Sequence, residues 1–122
     1  MDNYPKLKKT WIFDLDGTLV LHRGYENGPD ILLEGVADLF SRIPQEDMIV
    51  IITGRSETIK DITIKNLKDL GLRYDHIIFD AGAGARILVN DTKPSGYKTA
   101  HSFSVIRNLG INTNDLLFFM EH

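Results

Sequence analysis

Apolar positions along the chain follow two periods, and each stretch predicts an element. Trp11, Ile12 and Phe13 form a continuous apolar run, as in a strand covered on both faces. Asp14, Asp16, Gly17 and Thr18 follow it. From Leu32 the apolar residues recur at helical spacing through Val36, Leu39, Phe40 and Ile43, with Asp30 as N-cap and Pro44 as the stop. Residues 48–52 are a second unbroken apolar run and a second buried strand. Ile59, Ile62, Leu67 and Leu70 give another helical stripe. Ser56 caps it, Glu57 and Lys68 suit its two ends, and Gly71 stops it. Residues 74–79 read as a third strand ending at Asp80, residues 86–90 as a fourth, and residues 102–106 as an edge strand. Residues 116–120 are apolar and of undecided type.

The segments between are loops. Residues 1–9, with Lys6, Lys8 and Lys9, read as a solvated lead-in rather than a phosphate-attracting patch. Residues 20–30 carry no apolar period. They leave directly after Thr18, which makes them the natural flap over anything bound there. His22 and Arg23 either reach a substrate phosphate or sugar, or face water. Residues 81–85 alternate Ala and Gly but lack the spacing of a dinucleotide fingerprint, so they read as a flexible connector.

A carboxylate at the end of a buried strand is costly unless it is paired or coordinates something. Asp16 lies two residues after Asp14, so both side chains lean to one side if the extended path continues. Gly17 permits a turn and Thr18 adds a hydroxyl. Together these point to a divalent-cation site at the carboxyl edge of a parallel sheet, where open α/β folds bind ligands; the plainer alternative is an Asx-type turn. At the second strand's end, Thr53-Gly54-Arg55-Ser56 offers a hydroxyl beside exposed N–H groups, which is anion-binding geometry. Arg55 either binds substrate or makes a local salt bridge.

Bulk properties narrow the class. A chain of 122 residues suits one domain, 1–122, with one core and no cap domain, so any lid is a short loop. The net charge of −3 gives no electrostatic case for nucleic acid or an anionic membrane. The absence of cysteine excludes disulfides, thiolate metal sites and cysteine nucleophiles. No apolar run reaches membrane-span length and no signal-peptide core is present, so a cytoplasmic location is expected. His76, His101 and His122 show no ligand spacing and are expected to be structural or solvated.

The string Asp14-Leu15-Asp16-Gly17-Thr18-Leu19 after an apolar strand resembles the first motif of the haloacid dehalogenase superfamily of phosphatases and phosphotransferases. Thr53 with Gly54 and Arg55 resembles the second. Asp91, preceded by Asn90 where many members carry an acid, resembles the fourth. The resemblance implies a single Rossmann-like α/β domain of three layers with a mainly parallel central sheet. It implies Asp14 as nucleophile, Asp16 as general acid/base and Thr53 as a phosphate donor. It also implies Mg²⁺ held by Asp14, the Asp16 carbonyl, Asp91 and, through hydrogen bond or water, Asn90. Gly17, Thr18 and Gly54 would line the phosphate, with Arg55, His22 and Arg23 nearby. Residues 87–94, with Tyr97-Lys98-Thr99-Ala100, look like small phosphatases among capsule and surface-polysaccharide biosynthesis proteins.

Two features depart from the pattern. Only five residues, 81–85, connect the third and fourth strands, whereas a parallel crossover takes about a dozen. If the two run antiparallel, Asp91 does not face Asp14. The family's third-motif lysine is also missing: no lysine lies between Lys68 and Lys93. Arg86 would sit about 16 Å from Asp91 along an extended strand. Lys93 has the better reach and is the candidate replacement.

The expected function is Mg²⁺-dependent hydrolysis of a small phosphomonoester, a phosphorylated sugar or polyol, through an aspartyl-phosphate. Homo-oligomerisation would be one way to cover a capless site. The alternatives are a polynucleotide 3′-phosphatase, against which the acidic balance counts, and a non-catalytic binding module on the same fold.

Overall fold

The computed structural model describes residues 7–122. The expected lead-in at residues 1–6, Lys6 included, lies outside the described residues. Strands β1 (Thr10–Asp14), β2 (Met48–Ile52) and β3 (His76–Ile78) form a parallel sheet in the order β1-β2-β3. Helix α1 (Val36–Arg42) connects β1 to β2, and α2 (Lys60–Asp69) connects β2 to β3. A short α3 (Leu117–Glu121) follows a 3-10 turn at Thr113–Leu116. This is a small α/β architecture with a parallel open sheet. No helix among the described residues is long and apolar enough to cross a membrane.

The strand register decides where the core lies. Trp11 pairs with Ile49, and Phe13 with Ile51, which in turn pairs with Ile77. Alternate residues share a face, so these five point the same way. Phe13, Ile49 and Ile51 are buried there with Leu39, Phe40 and Leu67 from the two helices. The Phe13 and Phe40 rings stand 5.0 Å apart. Each fully buried Leu or Ile of this set contributes about 1.5–3 kcal/mol. The opposite face is open among the described residues: Ile12 is 50%, Met48 42% and Ile78 49% exposed. The both-faces-covered reading of β1 is therefore corrected. Its unbroken apolar run belongs to an edge strand covered on one side, and the described residues form no third layer.

Several element boundaries differ from expectation. Helix α1 begins at Val36 behind Gly35, not behind Asp30. Residues 31–33 instead run beside the site loop: Leu21 N–H donates to the Ile31 carbonyl and Leu33 N–H to that of Leu19. The Ser56 hydroxyl does accept the Thr58 N–H, at 3.1 Å, and Gly71 does follow α2 with φ of 75°. Of the expected stripe Leu67 is fully buried but Ile62 is 48% exposed, and α2 buries Thr63 and Asn66 beside Leu67.

The expected strands at 86–90 and 102–106 are not formed. Residues 82–96 are exposed throughout, with Ile87 86% and Val89 88% accessible. The sequence there favours strand, but a strand persists only with a neighbour to satisfy its backbone, and the five-residue connector cannot carry it across to β1. Residues 116–120 resolve as 3-10 turn and helix.

Lys9 is not a simple solvated residue. Asp47, 2% exposed, accepts bonds from the Lys9 N–H at 3.0 Å and the Trp11 indole N–H at 3.0 Å, and pairs with Lys9 Nζ at 3.3 Å. Burial pushes the Asp47 carboxyl up, but the bonds from Lys9 and Trp11 and the Lys9 charge outweigh it, and the net pKa lies below the usual 3.8. The unfolded chain therefore holds the proton more readily. The stabilisation is complete above about pH 4 and is lost as pH falls through the folded value. Asp47→Asn is expected to cost about 1–3 kcal/mol at pH 7, because an amide cannot accept from all three donors. Urea unfolding should show the gap from the unsubstituted protein holding above about pH 4 and narrowing as the pH is taken below it.

Candidate active site at the carboxyl edge of the sheet

Asp14 is the last residue of β1 and pairs in register with Ile52, at the carboxyl end of β2. Its carboxylate is exposed. One oxygen accepts the Thr18 hydroxyl at 3.2 Å, and the other has no protein partner among the described residues. The turn that follows winds around one carbonyl. Leu15 O accepts the N–H groups of Thr18, Leu19 and Val20, while Leu15, Leu19 and Val20 are fully buried and anchor the loop. Gly17 takes φ of 84°, which favours glycine. Its N–H donates to Val20 O at 2.7 Å, so it is not open to a phosphate. The backbone N–H groups of Asp16 and Gly54, and the Asp16 carbonyl, have no partner among the described residues.

Arg55 settles as a pairing residue. Its side chain is 1% exposed. Nε and Nη2 bond the two Asp16 oxygens at 3.1 and 2.8 Å; Nη1 and Nη2 bond Asp30 at 2.9 and 2.7 Å; Nη1 also reaches the Thr63 hydroxyl at 3.3 Å. Five bonds match the five N–H groups of a guanidinium, which leaves none for a substrate. The Tyr25 ring lies 4.1 Å from the guanidinium carbon. Asn66 donates to Asp30 at 3.0 Å, completing the partners of a carboxylate that is 5% exposed. Burial works against the Arg55 charge, but the bonds and charges of Asp30 and Asp16 outweigh it, and its pKa lies above the ordinary arginine value. Thr53, 1% exposed, accepts the Arg55 N–H at 3.1 Å and keeps its own hydroxyl proton to donate.

None of the other expected site residues bonds the Asp14 side chain among the described residues. Asn90 bonds Thr99, and the Thr99 hydroxyl also bonds the Asp91 carbonyl. Asp91 joins no cluster of three metal-ligating side chains; none exists among the described residues. The fourth strand expected to bring Asn90 and Asp91 to Asp14 is not formed. Lys93 sits on an exposed turn closed by its N–H to Tyr97 O. Arg23 is exposed with φ of 57°. His22 donates its backbone N–H to the Asn108 side chain at 2.8 Å, and its Nδ1 is buried without a partner.

Sequence reasoning missed the partners of Arg55. Asp30, Tyr25 and Thr63, with Asn66 behind Asp30, come from two separate stretches, and no local period marks them. It also missed residues 107–111, which cross the site loop. Asn108 N–H donates to Gly17 O at 2.9 Å and Ile111 N–H to Glu34 O at 2.9 Å. Gly110 there lies against the backbone of Glu34, and Gly35 against that of Ile111. A Cβ on Gly110 would lie 2.1 Å from Glu34 O, and one on Gly35 1.9 Å from Ile111 O.

No family model matches the chain, and no curated protein does. A chain in a solved structure described as "Structure of Pnkp1/Rnl/Hen1 complex" is similar at 26% identity with a TM-score of 0.53. The likeness covers 71% of this chain and 33% of that one, so this chain spans about a third of its length.

Proposed function

We propose that the chain is a phosphoric monoester hydrolase of the haloacid dehalogenase type, acting on a small phosphorylated substrate such as a sugar phosphate. One observation carries this reading: at the carboxyl end of β1, Asp14 presents a carboxylate oxygen with no partner among the described residues, while Asp16 beside it is held by Arg55. The likeness to the Pnkp1/Rnl/Hen1 structure fits the superfamily resemblance at low coverage and favours no branch of it. In the same reading the sheet face carrying Ile12, Met48 and Ile78 is where a third layer would pack.

The donors suit magnesium. The Asp14 carboxylate and the unpaired Asp16 carbonyl are hard oxygens, and Mg²⁺ binds through few protein ligands while keeping several waters. The Asp16 side chain is not part of that set, since Arg55 occupies both of its oxygens. The ion would supply charge compensation to a phosphoryl group.

Asp14 attacks phosphorus and forms an aspartyl-phosphate as the ester bond breaks; the leaving oxygen takes a proton, and water then hydrolyses the acyl phosphate. Asp16 is the proton carrier in this scheme. Each Asp16 oxygen accepts one bond from Arg55 and keeps a second lone pair on which a proton can be carried. The N–H groups of Asp16 and Gly54 and the Thr53 hydroxyl are the donors left for phosphate oxygens.

The test is a panel of sugar phosphates, polyol phosphates and a 3′-phosphorylated oligonucleotide, assayed with Mg²⁺ and with chelator. Metal-dependent release of phosphate from the small esters supports the reading. Preference for the oligonucleotide moves it to the polynucleotide class. No release from any substrate leaves a binding module.

A further inference from the structure

We infer that Arg107 is a substrate-phosphate contact of this site, an inference that rests on the hydrolase reading above. A phosphoryl group arriving beside Asp14 brings more negative charge to a carboxylate edge, and a positioned cation is the usual compensation. Arg55 cannot serve, because its donors are spent on Asp16, Asp30 and Thr63. Lys93 and Arg23 lie on exposed turns away from Asp14's contacts.

Arg107 does lie at the site turn. A Cβ placed on Gly17 would stand 3.0 Å from its Cγ and 3.7 Å from its Nε, so the side chain runs along the bare glycine between Asp16 and Thr18. Among the described residues its guanidinium makes no hydrogen bond or ion pair. An exposed arginine lying against the turn that follows Asp14, with its donors unused among the described residues, is available to an incoming anion, and its planar fork suits phosphate. Its position is fixed by the next residue. Asn108 is bonded to Gly17 through its backbone and to His22 through its side chain, with φ of 67°. Glycine at 17 therefore does two things: it allows the turn and it leaves room for Arg107.

The experiment compares the unsubstituted protein, Arg107→Ala and Arg107→Lys in Mg²⁺ buffer. It follows hydrolysis of p-nitrophenyl phosphate, inhibition or binding by inorganic phosphate, and thermal unfolding. Arg107→Ala is expected to lower kcat/KM by about 10–100-fold and to weaken inorganic phosphate by a similar factor. Arg107→Lys should recover part of both, with the unfolding midpoint unchanged, since the guanidinium has no partner to lose. An active protein whose Arg107→Ala form keeps kcat/KM and phosphate affinity within twofold overturns the inference and leaves the hydrolase reading standing. A protein that hydrolyses nothing yet binds phosphate through Arg107 supports the inference and removes the hydrolase reading. A protein that does neither overturns both.

Discussion

Arg55→Met is expected to cost about 3–5 kcal/mol of folding stability, the largest effect of any single substitution at this site. The reason is what it leaves behind. Asp30 is buried, and its carboxylate would face only Asn66 once the guanidinium is gone. Methionine fills the volume but cannot satisfy the charge. The double substitution Arg55→Met with Asp30→Leu should recover a substantial part, because no buried ion then lacks a partner. Urea unfolding of the two variants checks this; a single-variant loss below 1 kcal/mol would place the pair among weak surface ion pairs instead. The same substitution frees the Asp16 carboxylate, so residual folded protein should be poorly active as well.

Asp14→Asn is the second large effect and acts in the opposite way. Under the proposed mechanism it removes the nucleophile, and turnover should fall by on the order of 10³-fold or more. Stability should change by no more than about 0.5 kcal/mol, because the side chain is exposed and the amide oxygen can still accept the Thr18 hydroxyl. Trapping of phosphate on the protein during turnover should vanish with the substitution. Full activity in Asp14→Asn refutes the nucleophile assignment. The two variants thus separate scaffold from chemistry: Arg55 loses the fold first, Asp14 loses only the reaction.

What could be read from the sequence was local. The unbroken apolar runs at Trp11 and Met48 gave the first two strands, the Ser56 cap marked the 3-10 turn that leads into α2, and the Gly71 stop marked the end of α2. The pair Asp14 and Asp16 and the turn at Thr53 stood out because strand, acid and glycine follow one another directly. Asp30 was misplaced for the same reason. An Asp before an apolar helical period fits an N-cap, and nothing nearby signals that its partner is Arg55 in another turn. Arg107 has no local mark at all, since its position is set by Asn108 reaching back to Gly17. Residues 86–90 misled because β-favouring side chains report propensity and not the presence of a neighbour. The five-residue connector was the better signal there.

The close backbone approach of Gly110 to Glu34 and of Gly35 to Ile111 has a consequence for how the protein is made. The sheet and its helices draw on residues up to Ile78 and can collapse as soon as that much chain has left the ribosome. The clasp over the Gly17 turn waits for residues that are synthesised far later, and closing so long a loop is slow. A nascent chain halted before Gly110 would have its acids in place and its crossing strap absent, so competence at this edge arrives last.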